Sequence, residues 1–536
     1  MSHDVAHSAG GGGILANKTL WLCVGLGVFV LIGFVLPVPQ SVQRTVEDFG
    51  FAAKMEEWEI AADPAEAARK TMIVLGLIPM AVIYFATEAL PIGLTGILMP
   101  MLAYFLRLLP TKDIGKSFAG DAPMFLLGVL AMGVAVVDVG LHKRLASWLL
   151  GWTRGFIVPV FVLSISMAVV GSFISAHAMC AFMTPVMAAV YFGAVRANSR
   201  GGAIEHDPAL AKFLLFTLCF ALNVGGVGSP AAGGRNVIMM GFWSEYDVPM
   251  DFFTWMKYGL PMVPVLGVVV ALYMLGLFGR KIRTRDLTPG LKAIKDETRR
   301  MGRMQYAEYV TFGMLMVILV LWIFGGEEMG LGGPALLALV IPVVFKTTTW
   351  KKILGGVSWD AWFMYCGALT LGALLKESGA ALWLAQSFLE ILRGVGMNQG
   401  LGLWVGLSGL SGLITNFMSD AGTTALLGPI VIPMGIMTGV EGEPWAVGLG
   451  VAFATSFAHF LIVGTPNNAI VYGLGIYPDS GEKMIEPIDF VKYGFVLWIL
   501  SMAVVWIVGF LVIYGLVGFP EGILETARQA MESGAH

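Results

Sequence analysis

Two charged residues sit inside apolar sequence: Arg235, in "GGVGSPAAGGRNVIM" (225–239), and Asp420, in "TNFMSDAGTTALLGPIVIPM" (415–434). A guanidinium offers an anion a permanent charge and a fork of donors. A carboxylate can ligate a hard cation, carry a proton or neutralise the arginine. Within a membrane such groups cost at least about 2.5–3.5 kcal/mol on insertion scales, so their retention reflects function. Near the C-terminus, "FAHFLIVGTPNNAIVYG" (457–473) breaks an apolar run with Gly464, Thr465, Pro466, Asn467 and Asn468, residues that unwind helices. Unwound backbone at membrane depth is tolerated where it lines a cavity or is buried in protein. Its freed amides and carbonyls can hold an ion, and the half-helix ends add partial charges.

The elements that position these residues are transmembrane helices. Of 536 residues, 57% are hydrophobic and 13% charged, with a mean hydropathy of +0.79; soluble domains carry about a quarter charged residues. Apolar runs long enough to cross about 30 Å of hydrocarbon recur from 19 to 518, without sheet-type alternation. Spans are expected near 19–38, 72–89, 91–109, 123–140, 157–172, 209–224, 259–279, 307–324, 331–346, 360–377, 445–462 and 491–518. The stretches 173–195, 401–415 and 417–436 are interrupted by Pro, Gly, Ser and Asn, which suits segments that enter the membrane and turn back. Cys23, Cys180, Cys219 and Cys366 lie in apolar segments without a CxxC spacing, which reads as packing.

Charge distribution sets the orientation. Arg280, Lys281, Arg283, Arg285, Lys292, Lys295, Arg299, Arg300 and Arg303 crowd one linker, which the positive-inside rule places in the cytoplasm. The 39–71 loop and the C-terminal tail lean acidic and are assigned outside, so the N-terminus is inside and the C-terminus outside. The first span reads as a retained helix.

Two halves echo each other. "VAVVDVGLHKRLASWLLG" (134–151) pairs with "GALLKESGAALWLAQSFL" (372–389), "GSFISAHAMCAFMTPVMAAV" (171–190) with 415–434, and 225–239 with 460–473 through Asn236 and Asn468. The reading is an all-α polytopic membrane protein with about 11–12 transmembrane helices, inverted repeats, two re-entrant hairpins and two broken helices. It divides into 1–71 (tail, first helix, external loop), 72–279 (first repeat; hairpin near 157–195, broken helix near 209–245) and 280–306 (basic cytoplasmic linker). The second repeat follows at 307–518 (hairpin near 401–436, broken helix near 445–476), with 519–536 as the tail.

"FATEALPIGLTGILMPML" (85–102), "GLHKR" (140–144), the paired Ser-x-x tripeptides and "GTPNNAIVYG" (464–473) resemble the divalent anion:sodium symporter family, carriers of sulfate, dicarboxylates and citrate. The C-terminal signature carries it most specifically, through Ser456, Val463, Gly464, Thr465, Pro466, Asn468, Ala469, Ile470 and Val471. The resemblance implies a homodimeric, elevator-type carrier of a small anion, with Ser-Asn-Thr at each hairpin tip touching substrate and one sodium caged beside each tip. Carried over, substrate would meet Ser175, His177, Arg235 and Asn236 from the first half and Ser419, Ala421, Thr465 and Pro466 from the second. The second-half sodium would be held by Ser419, Asp420, Thr465 and Asn468, and the first by Ser175, Ala176 and Gly233.

Both tripeptides depart from that pattern. Ala176 has no side-chain oxygen for a cation, and Arg235 stands where the family has Pro, so the guanidinium is read as replacing the first sodium. Asp420 replaces an Asn: sodium ligand ranks first, ion pair with Arg235 second, proton carrier third. His177 stands where a Thr would touch substrate, and His459, in place of Phe, reads as a helix contact. Glu88, Lys376 and Glu377 near span ends read as structural. Sulfate, dicarboxylate and sulfonate all remain substrates to test, with sodium, or a proton instead, as the coupling ion. The setting is a bacterial inner membrane, with lipid as the surrounding partner and no basic-aromatic patch for nucleic acid. Two other readings are an intramembrane serine hydrolase, using Ser175 with His177 or Ser229 with His459, and a proton-translocating subunit. The first lacks G-x-S-x-G and H-E-x-x-H; the second needs mid-helix Lys and Glu, which here lie at span ends.

Overall fold

The computed structural model describes residues 17–60, 63–142, 144, 153–199, 204–292, 299, 302–477 and 479–533. Lys143, Lys295, Arg300 and the two extreme ends of the chain, all part of the sequence reading, lie outside them. The described residues are helical, and nine helices among them are long and apolar enough to cross a membrane. Their surroundings differ sharply: 94% of the apolar window in Pro208–Val227 is buried, against 17% in Lys18–Val35. The first of these helices is therefore central and the second peripheral. Outward-facing Phe105, Phe324 and Leu516 make an apolar surface suited to lipid, where water would penalise them.

Glycines lock the halves together. A Cβ at Gly367 would come within 2.1 Å of Gly96 O, so Trp359–Glu377 and Ile92–Phe105 touch backbone to backbone. A Cβ at Gly128 would come within 2.4 Å of Ala335, joining Asp121–Asp138 to Gly332–Val344 in the same way. Gly96 with Ala335 and Gly128 with Gly367 are both 239 positions apart, the spacing of the internal repeat. Each half thus packs its helix against the equivalent partner in the other, and small residues permit the approach.

Ile157–Gly171 and Ala176–Asn198 form the first hairpin, Gly400–Ile414 and Asp420–Met437 the second. Each returning arm starts at a serine cap: Ser175 Oγ accepts from Ala178 N at 3.4 Å, and Ser419 Oγ from Gly422 N at 3.1 Å. The first broken helix runs Pro208–Val224, unwinds, and resumes at Gly234–Glu245. The second runs Glu443–Ala454 and resumes at Pro466–Leu474, so the span expected over 445–462 stops at Ala454. Pro466 sits at the first helical position, where its missing N–H costs nothing.

Segments expected as loop or tail also fold. The acidic 39–71 stretch holds helices Gln40–Phe49 and Phe51–Glu57, and the C-terminal tail holds Ile523–Ser533. Val42, Val46 and Phe49 are buried, an i, i+4, i+7 stripe that marks an amphipathic helix. Lys54 of this region pairs with Glu377 at 2.7 Å, while Lys376 Nζ donates to Glu245 O, so the neighbouring charges point apart. Glu88 closes Pro64–Thr87 in the left-handed region (φ 47°) ahead of Pro91.

Candidate functional site: paired hairpin tips and broken helices

The two unwound segments are held open by equivalent asparagines. Asn236 Nδ2 donates to Gly226 O and Ser229 O, both at 2.8 Å. Asn468 Nδ2 donates to Ala458 O at 2.7 Å and Leu461 O at 2.8 Å. Carbonyls that left the helical ladder thereby keep partners inside the protein, as low-dielectric surroundings require. The hairpin tips are tied to the same segments: Ser172 Oγ donates to Gly225 O at 2.9 Å, and Asn416 Nδ2 to Phe457 O at 3.4 Å.

Each half then reaches into the other. Arg235, on the first broken helix, donates from Nη1 to Asp420 Oδ2 of the second hairpin at 2.5 Å, and from Nε to Ser456 Oγ at 2.9 Å. His177, on the first hairpin, lies with Nδ1 2.8 Å from Asn467 Oδ1 of the second broken helix. Asn467 Nδ2 donates to Asn223 Oδ1 at 2.8 Å, which turns the Asn467 oxygen toward the imidazole. His177 Nδ1–H is therefore the donor to Asn467.

That cavity has a volume of about 830 Å³, and Ser175, Ala176, His177, Gly233, Arg235, Ser419, Asp420, Ala421 and Pro466 all line it. Asn236, Thr465 and Asn468 are buried outside the lining. Asn236 and Asn468 act as braces, and Asn468 Oδ1 is already taken by Asn223 Nδ2 at 3.1 Å and Cys219 Sγ at 3.2 Å. Asn236 Oδ1 is buried without a hydrogen-bond partner. Four helices begin at the cavity, at Ala176, Gly234, Asp420 and Pro466, and their positive dipole ends favour an anion.

Around these groups the lining is mostly apolar, with Leu126, Met132, Ile238 and Met364. It extends to Asp138, Lys352 and Asp360. Asp138 pairs with Lys352, and six residues further on Arg144 donates to Gly302 O and Arg303 O, so this end of the cavity lies toward the basic linker.

Neither hydrolase dyad forms. Ser229 Oγ donates to Ser172 O, and His459 packs between Asn223 Nδ2 at 3.5 Å and Ser501 Oγ at 3.3 Å, a buried helix contact. Asn223 and Ser456 are the site residues that sequence reasoning missed or used only as a signature. The signal for Asn223 was a lone amide ending the apolar run "FLLFTLCFALNV".

Comparison with known proteins agrees with this architecture. A family model described as citrate transporter matches residues 82–452. An uncharacterized transporter of Haemophilus influenzae is 26% identical over 82% of this chain and 91% of its own length. A sodium-dependent dicarboxylate transporter, SdcS, of Staphylococcus saprophyticus is 25% identical over 85% of this chain and 88% of its own. The crystal structure of the Alcanivorax borkumensis YdaH transporter superposes with a TM-score of 0.52 at 15% identity, covering 82% of this chain and 99% of that one.

Proposed function

We propose that this chain, which belongs to the citrate transporter family, is a cation-coupled secondary transporter of a small anion of the dicarboxylate, sulfate or sulfonate type. The convergence of four helix N-termini on one cavity, with the Arg235 guanidinium beside them, supports the reading, since dipole ends and guanidinium together offer an anion its counter-charge once Asp420 gives way. Ser175, His177, Ser419 and Ala421 would complete the contacts to substrate, with Asn236, Thr465 and Pro466 behind them. The relative SdcS is named as sodium-dependent, and sodium is the coupling ion proposed here. Asp420 with Ser419 and Thr465 would take it in the second half, the Asn468 side chain being engaged by Asn223, Cys219, Ala458 and Leu461, while Arg235 stands in for a first sodium beside Ser175, Ala176 and Gly233. A second reading, a retained first-half cation, is favoured by one observation: the unpartnered Asn236 Oδ1 is an acceptor that a cation would satisfy. A homodimer in a bacterial inner membrane, moving its site in elevator fashion, belongs to the same proposal.

The test is uptake by purified protein in liposomes of succinate, citrate, sulfate and a sulfonate, with sodium or choline outside. Wild-type protein accumulates at least one of these with sodium, and Arg235→Ala abolishes it. Unchanged uptake by Arg235→Ala removes the substrate role of the guanidinium. Equal uptake in choline removes sodium coupling.

A further inference from the structure

Asp420 occupies the place at which an anionic substrate would meet Arg235. Its Oδ2 lies 2.5 Å from Arg235 Nη1, and its Oδ1 accepts from Ala421 N at 2.7 Å. Both side chains line the cavity, Asp420 14% exposed and Arg235 7%, so the carboxylate holds Nη1 at the cavity wall. Among the described residues, the other lysine or arginine lining the cavity is Lys352, which is bound to Asp138 at 2.8 Å. Without substrate, the charge at the hairpin tips is therefore already balanced.

We infer that Asp420 is a tethered counter-ion that stands in for the substrate's negative charge, allowing the empty carrier to move its site between the two faces and so perform net transport instead of obligatory exchange. This rests on the transporter reading above. A guanidinium without a counter-ion is costly to carry through a low-dielectric environment, whereas a hydrogen-bonded pair presents little net charge. An arriving anion displaces Asp420 from Nη1, and the released carboxylate is then free to take the coupling cation. Anion on Arg235 and cation on Asp420 form a second balanced set, which links the loading of one to the loading of the other.

The test reads movement of the empty carrier directly. Ile174, at the first hairpin tip, lines the cavity. Ile174→Cys is labelled with a membrane-impermeant maleimide in right-side-out and inside-out vesicles free of substrate, with the parent protein as the blank. Ile174→Cys alone reacts from both faces. With Asp420→Asn added, it reacts as before from the linker face and at least about tenfold more slowly from the opposite face, the lone guanidinium no longer crossing; Asp420→Glu restores the rate. Unchanged labelling from the opposite face, or equal loss from both faces, overturns the inference. Succinate, citrate or sulfate restores opposite-face labelling to Asp420→Asn by replacing the missing charge. If none of them does while the substrate-free difference stands, the counter-ion is upheld and the anion reading of the function falls instead.

Discussion

Asn236 and Asn468 make the same pair of bonds in the two halves of the molecule: each donates from Nδ2 to the carbonyls ten and seven residues before it. The repeat is preserved at the level of single hydrogen bonds, although the sequences around the two residues share little else. What differs is the oxygen. Asn468 Oδ1 is held by Asn223 and Cys219, and Asn236 Oδ1 by none of the described residues.

That difference orders the two alanine variants. Either one strands one buried carbonyl, Gly226 O or Ala458 O, at about 1–3 kcal/mol when left without a donor, while Ser229 O and Leu461 O keep backbone donors in Ala232 and Gly464. Asn468→Ala also removes the acceptor for Asn223, so it lowers the thermal unfolding temperature of detergent-solubilised protein more than Asn236→Ala. The reverse order would show that the cross-half contact to Asn223 carries no weight.

Gly226 tests how tightly Arg235 is seated. A Cβ there would fall 1.6 Å from Arg235 Nη2, and one at Gly233 2.8 Å from Nη1. Gly226→Ala must push the guanidinium off Asp420 and Ser456, a strain of about 1–3 kcal/mol for a well-packed site, and uptake is lost while the protein still folds. Gly276→Ala, with nothing within 4 Å of its new methyl, leaves uptake intact and is the control. Full uptake by Gly226→Ala would mean that the arginine's position is not set by the unwound segment.

Lys54, outside the membrane-spanning helices, gives a pH signature through its pair with Glu377 at the end of Trp359–Glu377. Burial pulls the Lys54 ammonium below its ordinary 10.5, and Glu377 draws it part of the way back. In Glu377→Gln that counter-pull is gone and Lys54 titrates lower still. The folded state then binds fewer protons than the unfolded one between the lowered value and 10.5, so stability rises with pH across that window. Glu377→Gln is therefore destabilised near neutrality, by about 1–2 kcal/mol given the partial exposure of Glu377, and regains stability toward about pH 10. Unfolding midpoints at the two pH values check this; a variant that weakens further in alkali would reverse the sign.

Much of the fold was legible because its breaks are chemical. Gly464, Thr465, Pro466 and Asn467 cannot continue a helix within lipid, so their presence in an apolar run announced an unwound segment, and the echo between Asn236 and Asn468 announced a second. The helices over 40–49 and 51–57 were missed because charge dominates their composition; the buried stripe Val42, Val46 and Phe49 was there to be counted. Asn223 was missed for another reason. Nothing in a single amide reveals that its neighbours in space are Asn467 and Asn468, more than 240 positions away.

The sequence alone determined the membrane setting, the repeated halves and the two ionisable residues with the chemistry to bind an anion or a cation, since those follow from residue type and local order. Whether Arg235 faces an open cavity or a carboxylate, and which half supplies its partner, was decided only in three dimensions. An ion pair 185 positions apart in the chain exists because the first broken helix meets the tip of the second hairpin, and that meeting is a property of packing between halves that neither half encodes by itself.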